Sequence, residues 1–326
     1  MGEQSGAVRV EEVAISGEAG NLRGWFYLPP VDQPVPVVVL AHGYSATHAF
    51  HYWRTAEALA DAGYAVLDFD SRGLGTSDGE RRQRVRISEH VADLQAAVRF
   101  ARTRPETSEV ILYGSSAGGG LAIEVAAMDP DLAGLMLVVP HVDGLTNLPG
   151  TKLATRAGLA LSCFADRLGR TLGRAPRLLR VFGEPDGEPA LIDRDDCVAA
   201  LREEILPGGT WHEPDLSYGN GTSSYVNAVT AWEVLELVRF RPGRRLHRVK
   251  APTLMVIGSK DTLTPPGPQR RSAKATETQL IELPINHFDP FRKTRNFDEV
   301  MGHQLAFLDR TLNVPARPDA IEETVL

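Results

Sequence analysis

The chain has 326 residues, 43% of them apolar, which is enough to bury a large core in one or two domains. The formal net charge of −7 argues against a general nucleic-acid-binding protein, because such proteins carry a basic surface. The first residues contain no basic segment followed by an apolar run, and nothing later approaches the roughly 20 apolar residues of a membrane span. We therefore expect a cytoplasmic protein that binds neither nucleic acid nor a membrane.

Short apolar runs that predict β-strands alternate with helical patterns through the first part of the chain. Polar and apolar residues interleave over 8–15 and 22–28, which is typical of an antiparallel edge with one wet face. Four continuous apolar runs follow, at 34–43, 62–70, 108–114 and 132–140. Such runs are expected of central strands that are covered on both faces. The pattern predicts an α/β fold with a mostly parallel central sheet flanked by helices.

The pattern changes after His141, where helical, arginine-rich segments and polar loops replace the strand-like runs. Two strand-like runs then return, at 251–259 and 278–284. Because the strands on both sides of the insertion need each other, they are expected to share one sheet. We predict a core formed by residues 1–141 and 251–326, with a largely helical cap, or lid, over residues 142–250.

Two adjacent serines lie in the segment ILYGSSAGGG, which follows a strand-like run. Where a strand turns abruptly into a helix, the residues two before and two after the turning residue approach closely and must be small. With Ser116 at the turn, these positions are Gly114 and Gly118. With Ser115 at the turn, Tyr113 would have to fit in one of them. We therefore predict a nucleophile elbow with Ser116 as the nucleophile, and the N-terminus of the next helix favours negative charge beside it.

An acid and a base follow the serine in the chain order that such a sheet requires. Asp261 comes shortly after the run that ends at Gly258, and His287 follows the next strand-like run. An open α/β sheet forms its site at the carboxyl ends of these strands. We predict a catalytic triad of Ser116, Asp261 and His287, and we keep Asp143 as a second candidate for the acid.

The loop after the first central strand, with the letters AHGYSAT, is the predicted source of an oxyanion hole. The backbone N–H groups of Tyr44 and Ala117 are the predicted donors, and removal of one such donor typically costs about 3 kcal/mol. His42 is expected to orient this loop rather than to act as the base. Tyr44, Trp211 and Trp232 are the candidate substrate-binding side chains.

Nothing in the sequence indicates a bound metal or organic cofactor. Cys163 and Cys197 have neither a CxxC partner nor a nearby cluster of histidines, which argues against a structural zinc site. We interpret both residues as free thiols. The expected ligand is a small acyl substrate alone, without a cofactor or metal.

Five segments in this order strongly resemble the α/β-hydrolase superfamily: AHGY, DSRGLGTSDG, GSSAGG, GSKDTLTPP and NHFDP. The resemblance implies an α/β-hydrolase fold and places Ser116, Asp261 and His287 on the family's triad. It places Tyr44 and Ala117 on the oxyanion hole and the insertion on the variable cap. Within the superfamily, the large cap and the short HGY segment look most like bacterial esterases and acyl-processing hydrolases, including some of polyketide pathways.

Together these features predict a serine hydrolase that cleaves an ester or thioester through an acyl-enzyme. The resemblance further implies a role in a secondary-metabolite pathway of polyketide type. The same triad would serve an acyltransferase, a cyclase or a C–C bond hydrolase, so these activities stay open. A non-catalytic binding protein that kept the fold is the alternative from another class, and the complete set of five segments argues against it. The sequence does not determine the acyl group, the leaving group or the oligomeric state.

The predicted cap contains four arginines at helical spacings: Arg167, Arg170, Arg174 and Arg177. Apolar residues fall on another face of the same helix: Leu161, Phe164, Leu168 and Leu172. The simpler interpretation is that the arginines form a solvated face. The alternative is a docking surface for an acyl carrier protein or a phosphate-bearing thioester, because guanidinium groups bind phosphate and carboxylate through paired N–H donors.

Overall fold

The computed structural model describes residues 7–50, 52–146, 153–183, 190–194, 197, 215–218, 223–291 and 294–312. The strands are β1 (Arg9–Gly17), β2 (Gly20–Leu28), β3 (Val35–Ala41), β4 (Ala65–Phe69), β5 (Thr107–Ser115), β6 (Gly134–Val138), β7 (Leu178–Phe182), β8 (Ala190–Ile192), β9 (Asp215–Tyr218), β10 (Ser223–Val226), β11 (Ala228–Thr230), β12 (Thr253–Gly258) and β13 (Gln279–Leu283). The helices are α1 (Tyr52–Asp61), α2 (Ile87–Thr103), α3 (Ser116–Ala126), α4 (Leu153–Thr171), α5 (Val234–Arg239), α6 (Pro266–Lys274) and α7 (Arg295–Thr311). Among these described helices, none is long and apolar enough to cross a membrane.

Eight of these strands form one sheet in the order β1-β2-β4-β3-β5-β6-β12-β13. The pairs β1–β2 and β2–β4 are antiparallel, and the other neighbouring strands are parallel. The predicted antiparallel edge and the predicted parallel centre are both confirmed. Because β12 and β13 extend the sheet beyond β6, the chain returns to the same sheet after the insertion.

The central strands are buried on both faces, as their continuous apolar runs require. Along β3, Val38 and Leu40 pack toward α1 and α7, whereas Val37 and Val39 pack toward α2 and α3. This alternation follows from the two-residue period of a strand. The sheet therefore lies between two layers of helices, and its carboxyl edge stays free for loops.

In its described residues, the insertion between β6 and β12 contains helices α4 and α5 together with five short strands. These strands form a three-stranded sheet in the order β11-β7-β8 and a two-stranded sheet of β9 and β10. The sequence analysis predicts helices in the insertion but none of these strands. Each strand is only 3–5 residues long, which is too short to show a clear periodic pattern. The exact boundaries of the cap stay a prediction. Cys163 and Cys197 are buried and neither forms a disulfide, as predicted.

Helix α4 exposes apolar side chains to solvent and buries a carboxylate, the reverse of a usual amphipathic helix. Its apolar stripe is solvent-facing and continues into the residue after the helix, with exposed fractions between 60% and 71%: Leu161, Phe164 and Leu168 of α4, followed by Leu172. Cys163 and Asp166 are its buried side chains near the middle. Arg170 forms ion pairs with Asp166 at 2.5 Å and with Glu233 at 2.8 Å. The predicted arginine face is therefore not uniformly solvated, since Arg170 is held by two buried carboxylates. The prediction that all four arginines share one helix face is wrong, because α4 ends at Thr171, and Arg174 and Arg177 lie beyond it.

Candidate active site

Ser116 lies at the junction where β5 ends and α3 begins, as the sequence predicts. Its backbone φ angle is +50°, in the left-handed region that residues with a Cβ rarely adopt. Such a conformation costs on the order of 1–3 kcal/mol and persists only where the surrounding structure enforces it. The N–H of His141 donates to the carbonyl oxygen of Ser116 at 2.7 Å and helps to hold the turn.

The glycines on either side of Ser116 leave room for this turn. A Cβ at Gly114 would lie 2.6 Å from the carbonyl oxygen of Gly118. A Cβ at Gly118 would overlap the carbonyl oxygens of Ala41 and His42, at the end of β3. Glycine is therefore required at both positions, and the loop after β3 packs directly against the start of α3.

The structure brings Ser116, His287 and Asp261 together at the carboxyl edge of the sheet. Asp261 follows β12 and His287 follows β13, which lie next to each other in the sheet. The Nε2 atom of His287 is 3.0 Å from the Oγ atom of Ser116. Its Nδ1 atom is 2.8 Å from the Oδ2 atom of Asp261. This is the arrangement of a nucleophile, a base and an orienting acid.

Asp261 is held by a turn of its own loop. Its carboxylate accepts the backbone N–H groups of Leu263 and Thr264, both at 2.8 Å, and the Thr264 hydroxyl group at 2.7 Å. Burial by itself raises the pKa of Asp261, but the charge and hydrogen bond of His287 and the hydrogen bonds of Thr264 outweigh it, so the pKa lies below its usual value. Asp261 is therefore an ionised, fixed partner for the imidazole. Sequence analysis missed Thr264, although the turn letters DTLTPP were visible.

The second candidate acid has a different role. Asp143 forms an ion pair with Arg241 at 2.6 Å and accepts the backbone N–H of Leu145 at 3.1 Å. These contacts hold the start of the cap region in place. The choice of Asp261 over Asp143 thus agrees with the contacts of both residues.

The loop between β3 and α1 is tied down by a buried carboxylate that sequence analysis did not select. Asp68, at the end of β4, hydrogen-bonds with the Nε2 atom of His42 and, at 2.6 Å, with the Nδ1 atom of His48. The ring of His48 stacks on Trp25 with 3.9 Å between centroids. Burial raises the pKa of Asp68, but the two histidines outweigh burial and hold the pKa well below its usual value. His42 therefore contacts a structural partner, in keeping with its predicted role in orienting the loop.

The predicted oxyanion donors are placed beside Ser116. Tyr44 lies in the loop that packs against the start of α3, and it lines the same cavity as Ser116 and His287. Ala117 is the residue after Ser116 in α3. The use of their N–H groups as an oxyanion hole stays a prediction.

The cavity at Ser116 is small and apolar. Its walls include four phenylalanines. Phe288 and Phe291 follow β13, Phe50 follows β3, and Phe182 lies in β7 of the cap region. Of the three predicted substrate-binding residues, Tyr44 lines this cavity. Trp232 instead lines a separate outer groove, and Trp211 lies outside the described residues. Trp232 was selected as an aromatic residue of the cap, but its ring packs against Phe164 and Arg167 on the outer side of α4.

Comparison with known proteins places this architecture in a family. The family model for serine aminopeptidase, S33, matches residues 32–202, just over half of the chain. The quorum-quenching protein AidA of Acinetobacter baumannii is 29% identical over 293 residues, which cover 89% of this chain and 91% of AidA. The polyketide transferase ATR5 of Stachybotrys chlorohalonatus is 30% identical over 254 residues, which cover 77% of this chain and 79% of ATR5.

A solved structure agrees with the fold. The α/β hydrolase GrgF from Penicillium superposes with a TM-score of 0.76 at 22% identity, covering 94% of this chain and 99% of GrgF. The sheet order and the strand-to-helix turn at Ser116 are consistent with this likeness. The chain therefore belongs to the S33 serine aminopeptidase family of the α/β-hydrolase superfamily.

Proposed function

We propose that this protein is a serine hydrolase that cleaves an ester or thioester through an acyl-enzyme intermediate. The observation that carries the proposal is the unbroken hydrogen-bonded chain from the Ser116 hydroxyl group through His287 to Asp261, with distances of 3.0 and 2.8 Å. Both bonds already have the length that proton transfer requires. A binding protein that had lost catalysis would have no need to keep this geometry.

The reaction has two halves. In the first, the Oγ atom of Ser116 bonds to the carbonyl carbon while the Nε2 atom of His287 takes the hydroxyl proton. Asp261 stabilises the imidazolium that forms. The bond from carbon to the leaving oxygen or sulfur then breaks, and His287 returns the proton to the leaving group. In the second half, water repeats these steps and releases the acid from Ser116.

The cavity favours an apolar acyl group. Phe182 and Phe288 meet edge to face, with 6.2 Å between ring centroids, and Phe50 stacks on Phe182 at 5.7 Å. These rings enclose the space in front of Ser116 with apolar surface, so desolvation of an apolar acyl chain would add to binding. Part of this wall comes from the cap region, which agrees with a cap that selects the substrate.

The names of the relatives support an activity in secondary metabolism. One relative is named a quorum-quenching protein and another a polyketide transferase. The second name favours one further candidate, acyl transfer, in which a substrate hydroxyl or amine replaces water in the second half-reaction. A pathway of polyketide type therefore stays part of the proposal.

Matched substrates test the proposal. An aryl ester and an N-acetylcysteamine thioester with the same acyl group are supplied to the wild-type protein and to Ser116→Ala, and release of both products is followed. We expect turnover of at least one substrate by the wild-type protein and none above background by the variant. Addition of an alcohol or amine then distinguishes transfer from hydrolysis by the product formed. Equal rates for the two proteins would refute the proposal.

A further inference from the structure

A groove of about 760 Å³ lies outside the catalytic cavity, between the loop that follows β4 and helix α4. Trp232 and Glu233 are among the residues that line it. Four arginines of the loop line one side: Arg81, Arg82, Arg84 and Arg86. Three arginines of the cap region line the other: Arg167 and Arg170 of α4, and Arg174 just after the helix. Glu80 and Glu236 line the groove too, so three carboxylates face seven guanidinium groups. We call this feature the arginine groove, and its positive excess is opposite in sign to the net charge of −7 of the whole chain.

Some of these arginines have structural partners. Arg84 pairs with Glu89 at 3.1 Å and with Glu233 at 3.3 Å. Arg170 also pairs with Glu233, at 2.8 Å. These contacts join the core loop to the cap region and already neutralise the two guanidinium groups. A ligand is not needed to explain either of them.

Other arginines of the groove have no such neutralisation. Arg81, Arg167 and Arg174 are exposed, and within the described part of the chain none of them forms an ion pair with a carboxylate. The guanidinium group of Arg167 lies over the ring of Trp232, 5.3 Å from its centroid, which limits its freedom. Positive charges that face one groove repel each other, and a bound anion would remove that repulsion.

The groove has the properties of a ligand site for phosphate groups. Its volume falls within the range of about 300–1,000 Å³ that is usual for small-molecule sites. Guanidinium groups bind phosphate through paired, charge-assisted N–H donors. Several such groups on opposite walls suit a ligand that carries more than one phosphate.

Strand β7 connects the arginine groove with the catalytic cavity. Leu178, its first residue, lines the groove, and Phe182, its last residue, lines the cavity at Ser116. Four residues along a strand span about 13 Å. The two sites therefore lie at opposite ends of one short strand, a separation that a long, flexible ligand arm can bridge.

We propose that the arginine groove binds the phosphate groups of a thioester of the coenzyme A type, whose acyl end is the group attacked by Ser116. The choice of a thioester rests on the proposed function, whereas phosphate binding by the groove does not. An acidic carrier protein is the competing ligand, and the experiment distinguishes it.

Binding is measured by calorimetry on the Ser116→Ala protein, so that no ligand is consumed. The probes are coenzyme A, inorganic pyrophosphate and pantetheine, which lacks phosphate. The groove variant combines Arg81→Gln, Arg167→Gln and Arg174→Gln. The control variant combines Arg99→Gln, Arg239→Gln and Arg244→Gln, which remove the same charge from exposed arginines elsewhere.

We expect coenzyme A and pyrophosphate to bind and pantetheine not to bind. The groove variant should lose affinity for coenzyme A about tenfold or more, because charge-assisted contacts are lost, while the control variant should keep it. Equal loss in both variants, or equal binding of pantetheine, would overturn the phosphate site. Binding of a phosphopantetheine-bearing carrier protein but not of coenzyme A would also overturn the proposal, in favour of protein docking.

Kinetics with Ser116 intact test the thioester part separately. The groove variant should lose kcat/KM about tenfold or more for a coenzyme A thioester and keep it for the N-acetylcysteamine thioester with the same acyl group. If both thioesters suffer equally, the groove does not serve catalysis and the proposal fails. If coenzyme A binds in the groove but no ester or thioester is cleaved, the proposed function and the thioester assignment fail while the phosphate site stands.

Discussion

Thr264 shows how much of the candidate site depends on contacts around the triad. Its hydroxyl group donates to the Oδ2 atom of Asp261, the same atom that faces His287, and it lies 3.2 Å from the Nδ1 atom of the imidazole. The backbone N–H of Thr264 binds the other carboxylate oxygen. The carboxylate therefore has one permitted orientation, which sets the tautomer of His287 and points its Nε2 atom at Ser116.

The acid of the triad is tested by a pair of matched substitutions. Asp261→Asn keeps the shape of the side chain but offers the wrong hydrogen bond to His287, so kcat should fall by a factor on the order of 10⁴. Asp143→Asn breaks only the ion pair with Arg241 and should leave kcat within about threefold, because partly exposed ion pairs contribute about 1 kcal/mol or less. Steady-state kinetics on an aryl ester measure both. If Asp143→Asn loses activity while Asp261→Asn stays active, the acid comes from the loop after the earlier strand.

The triad could be predicted from the sequence because its signals are local. The small residues around Ser116 identify the turn, and Asp261 and His287 each follow a strand-like run in the required order. No local sequence pattern identifies the residues that form the walls of the cavity. Phe182 comes from a short cap strand, and its place opposite Phe288 depends on how distant segments pack. Trp232 was selected by residue type alone, and the structure puts it in the outer groove.

At the scale of elements, the loop from β3 to α1 is fixed at both ends by one carboxylate. Asp68 joins His42 and His48, and the backbone N–H of His48 donates to Asp70 at 2.8 Å. Burial lowers the pKa of His48, but the charge and hydrogen bond of Asp68 outweigh burial, so the pKa is raised. The loop that carries Tyr44 therefore depends on a charged network behind it.

This network makes stability depend on pH in a defined direction. The lowered pKa of Asp68 contributes stability above the unfolded carboxyl value of about 3.9, and this is lost as the pH falls through the folded value. The raised pKa of His48 contributes stability below the unfolded imidazole value of about 6.5, and this is lost as the pH rises through the folded value. The network should therefore contribute most between about pH 4 and 6.5.

The Asp68→Asn substitution tests that window. It leaves His48 buried without its carboxylate and should lower the free energy of unfolding by about 3–5 kcal/mol at pH 5 to 6. The difference from the wild-type protein should shrink as the pH rises through the raised folded pKa of His48, above which both proteins contain a neutral imidazole. Urea unfolding across this pH range measures the difference. A difference that does not change with pH would mean that the network contributes packing alone.

The close approach of β3 to α3 is tested with two glycines. Ordinary overpacking of a core costs about 1–3 kcal/mol. Gly118→Ala should destabilise the protein by more than this, because its Cβ would meet backbone oxygen atoms that cannot move aside. Gly302→Ala, in α7, adds a Cβ with nothing within 4 Å and should stabilise by about 0.5–1 kcal/mol. Thermal unfolding compares the two. A Gly118→Ala protein with unchanged stability and activity would show that the elbow is looser than described.

At the scale of the whole molecule, the cap region is attached to the core by polar contacts near the arginine groove. The N–H of Thr230 donates to the carbonyl oxygen of Gln83 at 2.8 Å. The carboxylate of Glu233 binds both Arg170 of α4 and Arg84 of the core loop. Burial raises the pKa of Glu233, but its hydrogen bonds and charged partners lower it to about 2. Glu233 therefore stays ionised and joins the two parts.

Arg170, in the last turn of α4, and Arg174, which follows the helix, should behave differently. Arg170→Met leaves the buried carboxylate of Asp166 without its cationic partner and that of Glu233 with Arg84 alone, which should lower stability by about 3–5 kcal/mol. Arg174 is exposed and unpaired within the described residues, so Arg174→Met should change stability by less than about 0.5 kcal/mol. Hydrogen exchange of α4 and urea unfolding measure both effects. Equal effects would mean that Arg170 is as solvated as the sequence alone suggested.

The sheet could be predicted at this scale because long apolar runs of Val, Leu and Ile leave few alternatives for β3 to β6 and for β12. The cap region was less predictable. Its strands β7, β8 and β11 are held by one another and by the core, so no one of them shows a periodic pattern by itself. The outward apolar stripe of α4 was equally hidden, because the pattern of a helix does not tell which of its faces meets the core.

The most direct test of the account is the site of covalent modification. The wild-type protein, Ser115→Ala and Ser116→Ala are each exposed to a fluorophosphonate and to an aryl ester, and intact mass and peptide mapping locate the added group. We predict one added group on Ser116 in the wild-type and Ser115→Ala proteins, and none in Ser116→Ala. Modification of Ser115, or a wild-type protein that stays unmodified by both reagents, would contradict the account.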